Sequence, residues 1–164
     1  MRLTESRPAS HACYYLGVEF SPVATRLTDD DYELVRRAVV EACSSRPWII
    51  AAWLYGSGVR GGVARDIDVG ILAHPIPANL GELSVIALEL AMGVSGLLVP
   101  FDVRLLNGAD PVFLHNVLSE GRLLFERDGI ARSEFEARSI AKWLDFAPRW
   151  EAMRRAVLVR WSRG

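Results

Sequence analysis

The sequence contains little cysteine and has almost no excess of positive or negative charge, and each of these shortages excludes a class of protein. Only two of the 164 residues are cysteine, and Cys13 and Cys43 lack the spacing of a zinc site or a redox motif. A disulfide-stabilised fold is therefore not expected, and two thiols suit a reducing compartment. The formal net charge is −1, which predicts no general attraction to nucleic acid or to anionic lipid.

Long hydrophobic runs are also lacking. The most apolar stretch, residues 85–101, is interrupted by Glu89, Gly93 and Gly96, so it does not resemble a transmembrane helix. Residues 1–20 contain no apolar segment of signal-peptide length. Because 51% of the residues are hydrophobic and 24% are charged, the chain should fold into a globular domain. We expect a cytoplasmic protein that does not contact a membrane.

The order of apolar patterns predicts an α/β protein with three parts. Helical and strand-like patterns alternate along most of the chain, which indicates a small mixed β-sheet flanked by helices. A final helical pattern predicts a C-terminal helical extension. The parts are an N-terminal tail or irregular segment at 1–26, the main domain at 27–128 and the helical extension at 129–164.

Residues that cap or break helices mark the ends of several predicted elements. Thr28 and Asp110 precede apolar helical patterns and are suited to cap them, and Pro111 fits the first position of a helix. We expect Pro148 to kink or split the last helix. The predicted strands span residues 49–55, 66–72, 99–106 and 122–126.

Three tryptophans of the last helix recur near one side. Trp143, Trp150 and Trp161 are most simply explained as packing between helices. The alternative is a surface for a partner, because aromatic side chains with neighbouring arginines are common at protein interfaces.

The residues most suited to chemistry lie around a glycine turn between two strands. Gly56 and Ser57 follow the first strand, where exposed backbone N–H groups can cradle phosphates. Asp66 and Asp68 are two apart on the next strand and should project from one face, with Cα atoms about 6.5 Å apart. Such a pair can bind two metal ions about 3.5–4 Å apart. Asp102, on a third strand, points away from its apolar neighbours and is a candidate third carboxylate.

A cluster of carboxylates needs a compensating charge. At 4 Å and an effective dielectric near 20, each pair of carboxylates repels by about 4 kcal/mol. Oxygen ligands alone favour Mg²⁺ or Mn²⁺. Instead of binding a metal ion, Asp102 could form a surface ion pair with Arg104. Arg60 and Arg65 lie in the loop before the acids and are candidates for contacting a triphosphate, with solvated or carboxylate-paired side chains as the alternative.

These motifs resemble the G-S and D-x-D signature of the polymerase-β-like nucleotidyltransferases, with Asp102 in the position of the family's third aspartate. The chain is more narrowly similar to the minimal nucleotidyltransferase antitoxins, which are partners of HEPN-domain toxins. One difference is that only eight residues separate Ser57 from Asp66, so this loop is shorter than is usual in that group. The narrower likeness is carried by Arg60-Gly61, by residues 101–111, by residues 121–128 and by residues 144–148.

The resemblance implies a nucleotidyltransferase fold and a Mg²⁺-dependent transfer of AMP from ATP to a hydroxyl, that of a tyrosine on a cognate HEPN toxin. The implied partners are the toxin and ATP, without direct nucleic-acid binding. Two alternatives remain: nucleotidyl transfer to a small molecule such as an aminoglycoside, and an inactive antitoxin that occludes its toxin. The implied residues are Asp66, Asp68 and Asp102 for catalysis and for two Mg²⁺ ions, and Gly56, Ser57, Arg60 and Arg65 for the nucleotide.

Overall fold

The computed structural model describes most of the chain beyond its N-terminal segment. Arg60 and most of the predicted tail at 1–26 lie outside the described residues. The described ranges are 14–15, 18–19, 25–59, 63–94, 96–97 and 99–161.

Four very short strands lie outside the main sheet. Strand β1 (Tyr14–Tyr15) pairs with β2 (Val18–Glu19) in antiparallel orientation. Strand β3 (Thr25–Arg26) pairs with β5 (Val63–Ala64), also antiparallel. The β3–β5 pair joins the end of the predicted tail to the segment that leads into the acidic motif.

A four-stranded mixed sheet forms the centre of the fold, as predicted. It is built from β4 (Ile49–Tyr55), β6 (Ile67–Ala73), β7 (Phe101–Leu105) and β8 (Arg122–Glu126). The strand order is β7-β6-β4-β8, in which β4 is antiparallel to both neighbours and β6 is parallel to β7. Every residue of β4 is buried, which explains its unbroken apolar sequence.

Within the described residues, four α-helices flank this sheet, and two of their caps confirm the sequence prediction. Thr28 and Asp31 form a reciprocal capping box at the start of the first helix. The Asp110 side chain accepts hydrogen bonds from the backbone N–H groups of Val112 and Phe113. The helices are α1 (Asp29–Ser44), α2 (Gly81–Gly93), α3 (Pro111–Glu120) and α4 (Gly129–Trp161).

The helices bury the two faces of the sheet separately. Helices α1 and α2 cover one face, where the core contains Val35, Val39, Leu54, Ile67 and Leu90. Helix α3 and the first part of α4 cover the other face, where the buried residues include Trp53, Tyr55, Leu72, Leu106 and Val117.

The last helix tests two sequence-based expectations. It is continuous through Pro148, so the proline does not split it, and the kink that was the other expected outcome stays a prediction. The packing interpretation of the tryptophans is wrong for Trp161, which is 82% exposed, and for Trp150, which is 36% exposed. Trp143 is half-buried and stacks on His115, with ring centroids 4.3 Å apart. Among the described residues, no helix combines the length and the apolar character needed to cross a membrane.

Candidate active site

Two acids and a tyrosine form one row across three neighbouring strands. Tyr55 on β4 is the register partner of Asp68 on β6, and Asp68 is the register partner of Asp102 on β7. Residues paired in this way project from the same face, and adjacent strands lie about 4.8 Å apart. The sheet register therefore brings together two of the three predicted carboxylates, and it adds a tyrosine that sequence analysis did not identify.

The third acid lies just outside the strand. Asp66 was expected within β6, but the strand begins at Ile67, and Asp66 is exposed in the bend before it. The first bond on this side of β6 runs from the Ile67 N–H to the carbonyl of Pro100, at 2.9 Å. Pro100 has no N–H, so it cannot extend this parallel ladder by donating to the carbonyl of Arg65, and the strand begins only after Asp66. Asp66 is nevertheless near enough to Asp68 for its negative charge to raise the pKa of that carboxyl.

The glycine turn lies directly against Asp68. Residues Gly56–Gly58 form one turn of 3₁₀ helix after β4, and Gly56 has a φ of +78°. A Cβ atom at Gly56 would lie 2.1 Å from the Oδ2 atom of Asp68. The position thus requires glycine for two reasons, a left-handed backbone and the close approach of a carboxylate.

Helix α1 holds this turn in place. The hydroxyl of Tyr32 donates a hydrogen bond to the carbonyl of Gly58, and Leu27 packs against the same glycine. Ser57 is exposed at the centre of the turn. Tyr32 is a second supporting residue that the sequence analysis missed, because its role depends on a contact between distant segments.

The carboxylate of Asp68 carries a large electrostatic cost. Burial, together with the negative charges of Asp66 and Asp102, raises the pKa of Asp68 to about 6, and the positive charge of Arg104 opposes the shift. Burial also raises the pKa of Tyr55, and the charge of Asp68 adds to that effect. The Tyr55 hydroxyl is buried and has no hydrogen-bond partner among the described residues. The row therefore combines excess negative charge with an unsatisfied polar group.

Asp102 forms an ion pair that was its alternative in the sequence analysis. Its Oδ2 atom lies 2.6 Å from Nη2 of Arg104 and accepts a hydrogen bond from Nε at 2.8 Å. In the part of the chain that the structure describes, no three acidic, histidine or cysteine side chains are gathered into a ready-made metal site. The side chains of Asp102 and Arg104 are 37% and 58% exposed, and ion pairs as exposed as this one contribute only about 0.2–1 kcal/mol to stability. Asp102 can therefore exchange Arg104 for a metal ion while its backbone stays beside Asp68.

Of the two arginines predicted to contact the nucleotide, the structure describes one. Arg65 is exposed directly before Asp66 and forms no ion pair with the described residues. Arg60 lies in the undescribed segment 60–62. Their predicted contacts with a nucleotide stay predictions.

The sequence from the second half of α1 to the start of α4 matches a known family. Residues 38–130 match the family model described as polymerase beta, nucleotidyltransferase. The chain belongs to this nucleotidyltransferase family. The matched segment contains the glycine turn and all three acids, so the candidate site of this nucleotidyltransferase lies within the family's domain. No curated protein matches the chain.

Solved structures show the same fold at low sequence identity. The MNT antitoxin in complex with a tri-AMPylated HEPN toxin of Shewanella oneidensis is 19% identical, with a TM-score of 0.61, and the match covers 77% of this chain and 98% of the antitoxin. A mutant MntA toxin–antitoxin structure is 17% identical, with a TM-score of 0.63 and coverage of 75% and 98%. A toxin–antitoxin structure with AMP-PNP is 20% identical, with a TM-score of 0.62 and coverage of 75% and 98%.

Proposed function

We propose that this nucleotidyltransferase is a cytoplasmic antitoxin that transfers AMP from ATP to a hydroxyl group of a HEPN toxin. The observation that carries the proposal is the register pairing of Asp68 with Asp102 beside the glycine turn. The solved structures support the narrower assignment, because one contains a tri-AMPylated HEPN toxin and another contains AMP-PNP. A third carries glutamate in place of two aspartates spaced two residues apart, the same spacing as Asp66 and Asp68.

Asp66, Asp68 and Asp102 would hold the Mg²⁺ ions of this reaction. The three donors are all carboxylates, which suit Mg²⁺. The raised pKa of Asp68 reflects negative charge that lacks sufficient compensation, and a divalent cation provides it. When bound, the ions stabilise charge on the transferring phosphoryl group and lower the pKa of the attacking hydroxyl.

The glycine turn would hold the phosphates of ATP. The backbone N–H groups of the turn and the hydroxyl of Ser57 donate to phosphate oxygens. Gly56 has no side chain between the turn and Asp68, so phosphate and carboxylate can approach the same point. Arg65 would add positive charge beside the triphosphate, and the sequence predicts the same role for Arg60; this charge favours binding of a polyanion by a protein of nearly neutral net charge.

The transfer itself exchanges one P–O bond for another. The acceptor hydroxyl oxygen bonds to the α-phosphorus as the bond between that phosphorus and the pyrophosphate oxygen breaks. Pyrophosphate leaves with the bonding electron pair. Asp102, released from Arg104, accepts the proton of the hydroxyl, and the product is an AMP ester on the toxin.

The test is AMP transfer to the purified cognate toxin with ATP and Mg²⁺, followed by intact-protein mass spectrometry. The wild-type protein should add the mass of one or more AMP units, and the Asp66→Asn/Asp68→Asn variant should add none. Asp29→Asn/Asp30→Asn removes the same two charges from the exposed start of α1 and should transfer AMP like the wild type. A toxin that stays unmodified by the wild-type protein would contradict the proposal.

The two alternatives predict different results in the same experiments. An inactive antitoxin that occludes its toxin should neutralise toxicity in growing cells equally well with and without Asp66 and Asp68. A nucleotidyltransferase for small molecules should release pyrophosphate from ATP in the presence of an aminoglycoside and without any toxin.

A further inference from the structure

The second half of α4 projects from the domain with an apolar stripe on its surface. Every side chain from Pro148 to Trp161 is exposed, and this segment is about 21 Å long at 1.5 Å per residue. Met153 is 58% exposed, Val157 55% and Trp161 82%. Together with Trp150, these side chains expose on the order of 500 Å² of apolar surface, which is comparable to the largest patch on a typical monomer, and such a patch is often functional.

Six of the apolar residues in α4 are spaced for contact with another helix, whereas Leu158 and Val159 are exposed outside this line. Successive members are separated by three or four positions, the spacing of a coiled-coil contact line. We call these six residues the α4 seam. It begins at the half-buried Trp143, which stacks on His115 of α3, and then leaves the domain. The seam consists of Trp143, Phe146, Trp150, Met153, Val157 and Trp161.

The exposed part of the seam is flanked by positive charge. Residues 149–161 contain four arginines and one glutamate, a formal charge of +3. The glutamate, Glu151, pairs with Arg155 at 3.2 Å. The other three arginines form no ion pair within the described residues, although they lie beside an apolar line on a chain whose remaining residues carry a formal charge of −4.

We propose that the α4 seam docks a helix of the toxin whose own apolar stripe is flanked by aspartate or glutamate. The proposal rests on the proposed function, because it assigns a surface to the same partner. A helix fits because its side chains repeat with the period of the seam, so that apolar residues of the two helices interleave. Acidic flanking residues fit because they would pair with Arg149, Arg154 and Arg160 at the rim of the contact.

Charge argues against the two occupants that this chain itself offers. In a second copy, the arginine-rich segments would face each other when the exposed parts of two seams overlap, and like charges oppose that arrangement. Residues 1–24 contain two arginines and two glutamates, so this segment has no acidic excess to match the seam. A separate acidic helix has neither disadvantage.

The test compares two double variants that add the same charge to opposite sides of α4. Met153→Glu/Val157→Glu places two acids in the seam, and Ala152→Glu/Ala156→Glu places two acids four residues apart on the other side. All four positions are exposed, so both variants should fold like the wild type, as circular dichroism and thermal unfolding will show. Calorimetric titration with the purified cognate toxin should give binding at least about 30-fold weaker for the seam variant and nearly unchanged for the control.

The outcomes separate this proposal from the proposed function. Asp66→Asn/Asp68→Asn should bind the toxin like the wild type while transferring no AMP, so a failure of catalysis leaves the docking result readable. Equal affinities of the two double variants would overturn the proposal even if AMP transfer is observed. It would also be overturned if the wild-type protein forms a dimer in light scattering that only the seam substitutions dissociate, or if it binds phosphatidylserine vesicles through the seam and not the toxin.

Discussion

Replacing Gly56 by alanine adds one methyl group at the point where the glycine turn meets Asp68. The substitution has two costs. The first is conformational, because Gly56 has a φ of +78° and an L-residue in the left-handed region loses about 1–2 kcal/mol. The second is steric, because the new Cβ would lie 2.1 Å from Oδ2 of Asp68.

The two costs should affect different properties. Cβ contacts below 3.0 Å essentially do not occur, so the Asp68 carboxylate must move by about 1 Å. This oxygen is at the end of a rotatable side chain, so the movement adds little to the loss of stability. It displaces a carboxylate that we propose as a metal ligand, however, and a misplacement of about 1 Å can lower a rate about 100-fold.

Gly108→Ala is the matched control. Gly108 has a φ of +72°, and a Cβ added there would have no atom within 4 Å beyond the adjoining residues. The neighbouring Asn107 hydrogen-bonds to Ala73, at the other end of β6 from Asp68. Both variants should lose a similar 1–2 kcal/mol, to within roughly a factor of two, in urea unfolding, but only Gly56→Ala should lose about 100-fold in the rate of AMP transfer. Rates of the two variants within a few-fold of each other would refute the assigned contact between the turn and Asp68.

Three further predictions concern groups whose energies the structure sets. Without nucleotide or metal, Asp68→Asn should raise the free energy of unfolding at pH 8 by on the order of 1 kcal/mol after allowance for solvent screening. The pKa of Asp68 is raised to about 6 in the folded protein, so the ionised carboxylate destabilises the fold above that pH, and this effect is lost as the carboxyl takes up a proton. If urea unfolding showed an equally large gain in unfolding free energy at pH 4, this reasoning would be contradicted. Tyr55→Phe removes a buried hydroxyl without a partner among the described residues and should leave the unfolding free energy unchanged or raise it by up to about 1–3 kcal/mol; a clear loss of stability would mean that the hydroxyl has a partner. Burial raises the pKa of Cys43 to about 12, so at pH 8 only about 1 in 10⁴ molecules carries the thiolate. In a Cys13→Ser variant, labelling of Cys43 by a thiol reagent should therefore be slow until urea unfolds the protein. Rapid labelling of the folded protein would contradict the burial of Cys43.

Much of the fold follows from local patterns. The continuous apolar run at 49–55 corresponds to a strand whose every residue is buried. Thr28 and Asp110 cap the helices that they were expected to cap. These predictions succeed because each depends on neighbouring residues only.

The site is less accessible to such reasoning because its geometry depends on pairing between distant segments. The spacing of Asp66 and Asp68 indicated a metal site, but no sequence pattern specifies that Asp68 lies in register with Asp102. Tyr55 looked like one more core residue at the end of an apolar strand. Its position beside the acids follows only from its pairing with Asp68 across β4 and β6.

The α4 seam shows a related limit. Apolar residues at helical spacing predict a buried face, but the period does not reveal whether the same chain supplies the covering surface. Trp143 finds its partner in His115 of α3, and Trp161, eighteen positions later on the same seam, is 82% exposed.

The most direct test of the proposed chemistry is a crystal structure of the protein with Mn²⁺ and AMP-PNP, with the metal located by anomalous scattering. We expect Mn²⁺ bound to carboxylate oxygens of Asp66, Asp68 and Asp102, the Asp102–Arg104 ion pair broken, and the phosphates on the turn at Gly56 and Ser57. Nucleotide bound elsewhere, or Mn²⁺ that contacts none of the three acids while Asp102 stays paired with Arg104, would contradict the account.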